Sequence, residues 1–210
     1  MPKTLSQPEF PRQTVLIALI ALLFLVLVAL YFPGFDHLPL IWALRIELAG
    51  GSAYGPEMQT LFETYFDEPF VSAGFAYPLP AMWLALPVVL LPEVLANVVW
   101  ALLIVGSVLV GLSLLRMPVQ LIFVFSMVYA TMLNQVTMLL VGMLLIGIWA
   151  LEQKRWWMLG FIIAFTIAAK PPATLLVSGF LLYMAVRKGR WLPPLVFGSL
   201  IALATFSLEP

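Results

Sequence analysis

An apolar run without a single charge, residues 14–32, constrains the fold of this chain more than any other feature. The run is longer than the apolar core of a signal peptide and lacks a small-residue cleavage site, so it predicts a retained transmembrane helix. Further apolar stretches follow, and 63% of all residues are hydrophobic while only 10% are charged. Soluble domains carry about 25% charged residues. We therefore predict an all-α, polytopic membrane bundle in which residues 1–210 form a single transmembrane domain of about six to eight membrane segments.

The charge balance and the residue inventory exclude several classes of function. Ten basic and ten acidic residues cancel, so the chain has no overall positive field, and we expect no nucleic-acid partner. The absence of cysteine excludes disulfides, thiolate metal sites and cysteine nucleophiles. One histidine does not make a zinc site, so we expect neither a metal nor a cofactor. No P-loop, dinucleotide-binding glycine pattern or nucleophile elbow occurs either.

The positions of the charges predict a membrane orientation. Positive charge bounds the apolar stretches at Arg116, at Lys154-Arg155 and at Arg187-Lys188-Arg190, and such loops are typically cytoplasmic. Residues 33–78 instead carry six carboxylates against Arg45 alone. This segment is therefore predicted to be an extracytoplasmic loop, followed by the remaining spans over residues 79–208. The protein would then be a multi-pass protein of the inner (plasma) membrane, in contact with membrane lipids.

Two short amphipathic helices are predicted within this loop. The first, Leu38 to Leu48, would lie on the membrane surface. The second would run from Glu57 to Phe66. Their apolar faces would consist of Leu40, Ile41, Leu44 and Leu48 in the first helix, with Arg45 and Glu47 turned away, and of Met58, Leu61, Phe62 and Tyr65 in the second.

Two polar breaks divide the later apolar stretches, at Asn134-Gln135 and at Lys170-Pro171-Pro172. If the basic loops are cytoplasmic, both breaks lie on the opposite side, together with Asp36. Residues 79–115 leave two alternatives open: one long broken helix, or two spans that meet at Pro92. Two spans there would move the later basic loops to the outside, so a net single crossing is preferred, with prolines breaking a partly re-entrant element.

Two charged residues are candidates for chemistry. Asp36 follows the first apolar run and could act as a base, although a carboxylate that merely ends a helix at the water boundary has the same position. Lys170 lies between an apolar stretch and two prolines, where an ammonium costs roughly 2.5 to 3.5 kcal/mol at a helix centre. Lys170 could either extend to the interface or hold a phosphate. The polar residues His37 and Asn134-Gln135 have plain alternatives too, as an interfacial residue and as a hairpin turn.

Four stretches in this order resemble the polyprenol-phosphate-sugar-dependent glycosyltransferases of the GT-C fold, most closely the GT87 mannosyltransferase-like family. The first is Asp36 followed by Trp42-Ala43-Leu44-Arg45 and by Gly50-Gly51-Ser52-Ala53-Tyr54. The second is Phe75-Ala76-Tyr77-Pro78, similar to an aromatic-tyrosine-proline entry to the second span, with Leu79 where a second proline is usual.

The other two stretches lie downstream. Asn134-Gln135-Val136-Thr137 is similar to the glycine-glutamine-x-asparagine turn of this family, with only Gln135 kept. Gly160, followed ten residues later by Lys170 and then Pro171-Pro172, is close to its glycine-then-lysine-proline helix.

This resemblance implies transfer of a hexose, typically mannose, from a polyprenyl-phosphate donor to a lipid or glycan acceptor at the outer membrane face. Asp36 would be the catalytic base for the acceptor hydroxyl, and Lys170 would stabilise the leaving phosphate. Gln135 and Tyr77 would line the substrate pocket, with His37 beside them. Members of the family are usually about twice as long, so the chain would correspond to their N-terminal half, with a second chain supplying the missing helices. The alternative is a non-catalytic membrane subunit or a transporter-like bundle.

Overall fold

The computed structural model describes residues 37–66, 77–123 and 136–208, together with the single positions 16, 19, 20 and 23. Within these ranges the chain is all-α, as predicted, and contains no strand. The helices are α1 (Leu38–Leu48), α2 (Pro56–Phe66), α3 (Leu79–Met82), α4 (Glu93–Leu114), α5 (Val136–Glu152), α6 (Trp156–Ala169), α7 (Pro171–Arg187) and α8 (Leu192–Leu208), with 3₁₀ turns at Trp83–Ala85 and Val119–Phe123. The predicted first span, residues 14–32, lies outside the described residues except at the four single positions, which are helical and exposed.

Helix α4 is the one described helix that has both the length and the hydropathy to cross a membrane. It has 22 residues, and only 39% of its most apolar window is buried. A helix in the core of a soluble protein would be mostly buried, whereas α4 exposes Val94, Leu95 and Val110. This helix indicates membrane association. The apolar helices α5 to α8 are shorter, with 14 to 17 residues each.

The alternative left open for residues 79–115 has a clear outcome. The four residues of α3 and the three of the following 3₁₀ turn are too few to form a span. The chain then turns through residues 86–91, and α4 begins directly after Pro92, whose φ of −55° is typical of proline. Residues 79–92 therefore form a short broken element rather than part of one long helix, and a separate long helix begins after Pro92, at the boundary that the second alternative gave. The preferred net single crossing stays a prediction.

Helices α4 and α5 pack against each other in parallel, at a contact built from small residues. A Cβ on Gly142 would lie 2.7 Å from the backbone of Ser107, and one on Gly111 would lie 2.5 Å from the Cβ of Leu145. The contact moves from Ser107 to Gly111 along α4 while it moves from Gly142 to Leu145 along α5. The two helices therefore run in the same direction. Small residues permit such a close approach of backbones, which is common between helices in membranes.

From α6 to α8, each helix runs antiparallel to the one before it in the chain; α6 and α7 pack beside the preceding helix, and α8 packs beside α6. Gly147 of α5 faces Ile162 of α6 and Leu181 of α7, and Gly160 of α6 faces Pro193 at the start of α8. The turns after α4, α5 and α7 consequently lie at one end of the bundle. The start of α5 and the α6–α7 turn lie at the other end.

Four helices end in the same C-terminal motif. After α1, α4, α5 and α7 the residue in the C′ position has a positive φ, and two N–H groups return to carbonyls of the last turn. The residues with positive φ are Gly50, Arg116, Lys154 and Gly189. This is the Schellman arrangement, which satisfies helix-end carbonyls. Three of these four motifs form the basic turns that the sequence identifies.

The predicted surface helix α1 is an interior helix in the structure, which corrects the expected one-sided pattern. Every residue from Leu38 to Leu44 is buried, whereas Leu48, assigned to the apolar face, is 65% exposed. Arg45 can lie in this interior because its guanidinium donates hydrogen bonds to the carbonyls of Val89 (2.8 Å) and Leu91 (2.7 Å). In α2 the expected face is buried at Met58 and Phe62, while Leu61 and Tyr65 remain exposed.

Candidate functional site

Lys170 lies at the break between α6 and α7, and the local sequence explains the break. Its backbone is not helical (φ −153°, ψ 74°), because a residue before proline is disfavoured in the α region. Pro171 then begins α7. The missing N–H of proline costs nothing at this position, because the first N–H groups of a helix have no partner within the helix. The Lys170 side chain is half-buried at this end of the bundle.

Lys170 contacts Tyr77 in two ways. The Lys170 ammonium donates a hydrogen bond to the Tyr77 hydroxyl at 3.2 Å and also lies 4.9 Å from the centre of the Tyr77 ring. The backbone carbonyl of Tyr77 in turn accepts a 2.8 Å hydrogen bond from the Tyr54 hydroxyl. Tyr77 directly precedes Pro78 and α3, and α3 packs on α6. Two residues that the sequence nominates separately are thus in direct contact.

Buried hydroxyl groups fix the α6–α7 hairpin that carries Lys170. The Thr174 hydroxyl donates to the carbonyl of Thr166 (2.8 Å) and lies 2.9 Å from that of Lys170. The hydroxyls of Thr166 and Ser178 are 2.9 Å apart. All three hydroxyl-bearing side chains are buried. A satisfied polar network of this kind holds the lysine backbone in one geometry.

His37 is fully buried rather than interfacial, which differs from the sequence-based interpretation. Its Nε2 lies 2.6 Å from the Oδ1 of Asn97, and its ring stacks on Trp100 with centroids 5.4 Å apart. Both contacts are to α4. His37 therefore connects the start of α1 to the long helix, and this is a packing role that the sequence pattern does not reveal.

Glu93, which the sequence does not nominate, joins α1 and α2 to α4. The Trp42 indole N–H donates to its carboxylate at 3.2 Å, and the Trp42 ring meets Tyr65 edge-on at 5.1 Å. The phenol of Tyr65 is only partly covered, and this partial burial raises its pKa; the Glu93 carboxylate raises the pKa further. The available sequence signal was an acidic residue at the start of a helix, directly after a proline.

Of the remaining nominated residues, Asp36 and Gln135 lie outside the described residues. They precede His37 and Val136 in the sequence, and Val136 begins α5 at the same end of the bundle as Lys170. Among the described residues, no group of three or more histidine or acidic side chains could hold a metal ion.

The Lys170–Tyr77 pair presents a cation and a phenol at one end of an apolar bundle. An ammonium has three N–H donors, and a phenol can both accept and donate a hydrogen bond. Such donors suit the oxygen atoms of a phosphate. No protein-family model, curated protein or solved structure matches this chain.

Proposed function

We propose that this protein is a multi-pass plasma-membrane glycosyltransferase of the GT-C type, which transfers a hexose from a polyprenyl-phosphate donor to an acceptor hydroxyl at the outer face. Mannose is the first sugar to test. Asp36 acts as the base for the acceptor, and Lys170 binds the donor phosphate. Gln135, Tyr77 and His37 contribute to the substrate pocket or to its support.

The contact between Lys170 and Tyr77 is the observation that carries this proposal. A lysine between apolar helices is costly, and intramembrane ionisable residues are typical of functional sites. The Tyr77 hydroxyl and ring orient the ammonium at the helix break. A phosphate leaving group needs a fixed cation, because negative charge accumulates on it as the glycosidic bond breaks.

The distribution of charge between the two bundle ends supports the orientation. Six of the ten basic residues are exposed and lie in or directly beside the turns after α4, α5 and α7, at the end opposite Lys170. At the other end Lys170 contacts Tyr77, and Tyr77 contacts Tyr54; both tyrosines belong to the acidic segment 33–78. Basic turns in the cytoplasm would direct the Lys170 end outward, where a lipid-linked sugar and its acceptor would meet.

The test is transfer of labelled mannose from polyprenyl-phosphate mannose in membranes that contain the protein. Lys170→Ala and Asp36→Asn are expected to abolish transfer, while Lys188→Ala, a matched loss of charge at the opposite end, should retain it. Wild-type levels of transfer by both site variants would overturn the assigned roles. No transfer by the wild type with any polyprenyl-phosphate sugar would favour the second candidate, a non-catalytic subunit or transporter-like bundle in which the Lys170–Tyr77 contact is structural.

A further inference from the structure

An apolar groove of about 500 Å³ lies between α6, α7 and α8. Its walls include Ile163 and Ile167 of α6, Leu182 of α7, and Leu195 and Gly198 of α8, and Trp191 lies at one end. Trp191 and Leu195 are more than half exposed, so the groove opens on the outer surface of the bundle. The only polar side-chain group among these lining residues is the indole N–H of Trp191. The groove therefore suits a hydrocarbon chain.

The tryptophan end of this groove is strongly basic. Trp191 directly follows Arg187-Lys188-Gly189-Arg190, and all three basic side chains are exposed. The Arg190 guanidinium lies 5.9 Å from the ring centre of Trp156, the first residue of α6. This contact joins the α7–α8 turn to the α5–α6 turn, which adds Lys154 and Arg155. Glu152 is the only carboxylate between residues 94 and 208.

We propose that this groove binds one acyl chain of an anionic phospholipid, whose phosphate is held by the α7–α8 turn. The occupant follows from charge complementarity: the hydrocarbon chain fills the groove, and the headgroup meets the basic turns where the chain leaves it. Basic pockets between transmembrane helices on the cytoplasmic side bind anionic headgroups in this way, and tryptophan favours the headgroup level. The site depends on membrane association and is independent of the transferase proposal, because its phosphate lies at the end opposite Lys170.

The test is native mass spectrometry of the detergent-purified chain with dioleoyl phosphatidylglycerol and, separately, dioleoyl phosphatidylcholine, which have the same acyl chains. The wild type should retain the anionic lipid preferentially. Arg187→Gln, Lys188→Gln and Arg190→Gln should each weaken retention about five-fold, from the attraction of one basic residue to an anionic surface. Arg116→Gln removes a charge at the same end but away from the groove, and should change retention little.

A second variant tests the groove itself. Gly198 lines the groove, and a Cβ there meets no atom within 4 Å, so we expect the larger side chain of Gly198→Leu to occupy the groove. Gly198→Leu should reduce phosphatidylglycerol retention several-fold while its thermal unfolding midpoint stays at or above that of the wild type. Gly179→Leu, at another helical glycine with open space and outside the groove, is the matched control.

Three outcomes would overturn the proposal. One is equal retention of the two lipids by the wild type. Another is undiminished retention by Gly198→Leu. The third is a loss of retention in Arg116→Gln as large as in the α7–α8 turn variants, which would indicate general attraction to the basic end rather than a site.

Discussion

The Lys170 ammonium lies 3.2 Å from the Tyr77 hydroxyl, although the two residues are 93 positions apart in the chain. The contact joins the α6–α7 break to the entry of α3. It gives a half-buried cation a hydrogen-bond acceptor and an aromatic face at the same time. A pair of this kind can stabilise the fold and also prepare the ammonium to bind an anion.

Removing the phenol oxygen of Tyr77 should separate the stabilisation by the hydrogen bond from the stabilisation by the aromatic ring. Tyr77→Phe keeps the ring beneath Lys170 but removes the acceptor, and we expect it to lower the free energy of unfolding by about 1.5 to 3 kcal/mol, as for hydrogen bonds to charged groups. Chemical unfolding in detergent measures this change. Tyr183→Phe, at an exposed tyrosine on α7, is the control and should be neutral. Equal effects of the two substitutions would contradict a stabilising role for the hydroxyl contact.

The α6–α8 crossing should be sensitive to a single methyl group at Gly160. A Cβ there would lie 2.6 Å from the backbone carbon of Pro193, and proline cannot yield easily. Gly160→Ala is therefore expected to lower the free energy of unfolding by about 1 to 3 kcal/mol, as in other overpacked sites.

Gly198→Ala serves as the internal control for this crossing. It adds the same methyl group to α8 in open space, and should stabilise by up to about 1 kcal/mol through helix propensity. A neutral Gly160→Ala would show that the helices can separate without cost. The measurement is the thermal unfolding midpoint of Gly160→Ala compared with that of Gly198→Ala.

The turn after α5 should gain stability from glycine. Lys154 has a φ of +58° in a Schellman motif, a conformation that costs a residue with a Cβ roughly 1 kcal/mol. Lys154→Gly is expected to raise the unfolding free energy by about that amount. Arg155→Gly removes the same charge at a position with negative φ, and also removes the guanidinium that lies 4.8 Å from the Trp149 ring centre, so it should destabilise. The opposite signs are the prediction, and unfolding midpoints measure them.

Tyr65 should give the fold a pH dependence in the alkaline range. Its pKa is raised above 10.0 by burial and then by Glu93, so the folded state disfavours the phenolate. The stabilising contribution is complete below the unfolded pKa and is lost as pH rises through the folded pKa. The phenolate absorbance of the wild type minus that of Tyr65→Phe gives the pKa. Glu93→Gln should lower it, whereas Glu57→Gln should not; an unchanged pKa in Glu93→Gln would remove the electrostatic cause.

Several features of this fold could be predicted because they depend on neighbouring residues. Pro171 is the first residue of α7, a position that proline favours, and Pro92 directly precedes α4. Each proline also disfavours helix in the residue before it. Only part of the candidate site could be predicted from the sequence. Lys170 was nominated by its charge among apolar residues and Tyr77 by resemblance, and the two are in contact. Glu93 and Asn97 were missed because their partners are distant in sequence.

The sequence by itself determined the all-α class, the apolar character of the helices and the basic turns, because hydropathy, proline and charge act locally. Only the tertiary structure decided that His37 is buried against Trp100, that α1 lies in the interior, and that α4 and α5 run in parallel. These three features depend on contacts between helix surfaces that are distant in the sequence. The Lys170–Tyr77 contact is of this kind, since its geometry arises from the packing of α3 on α6 and from no property of either residue alone.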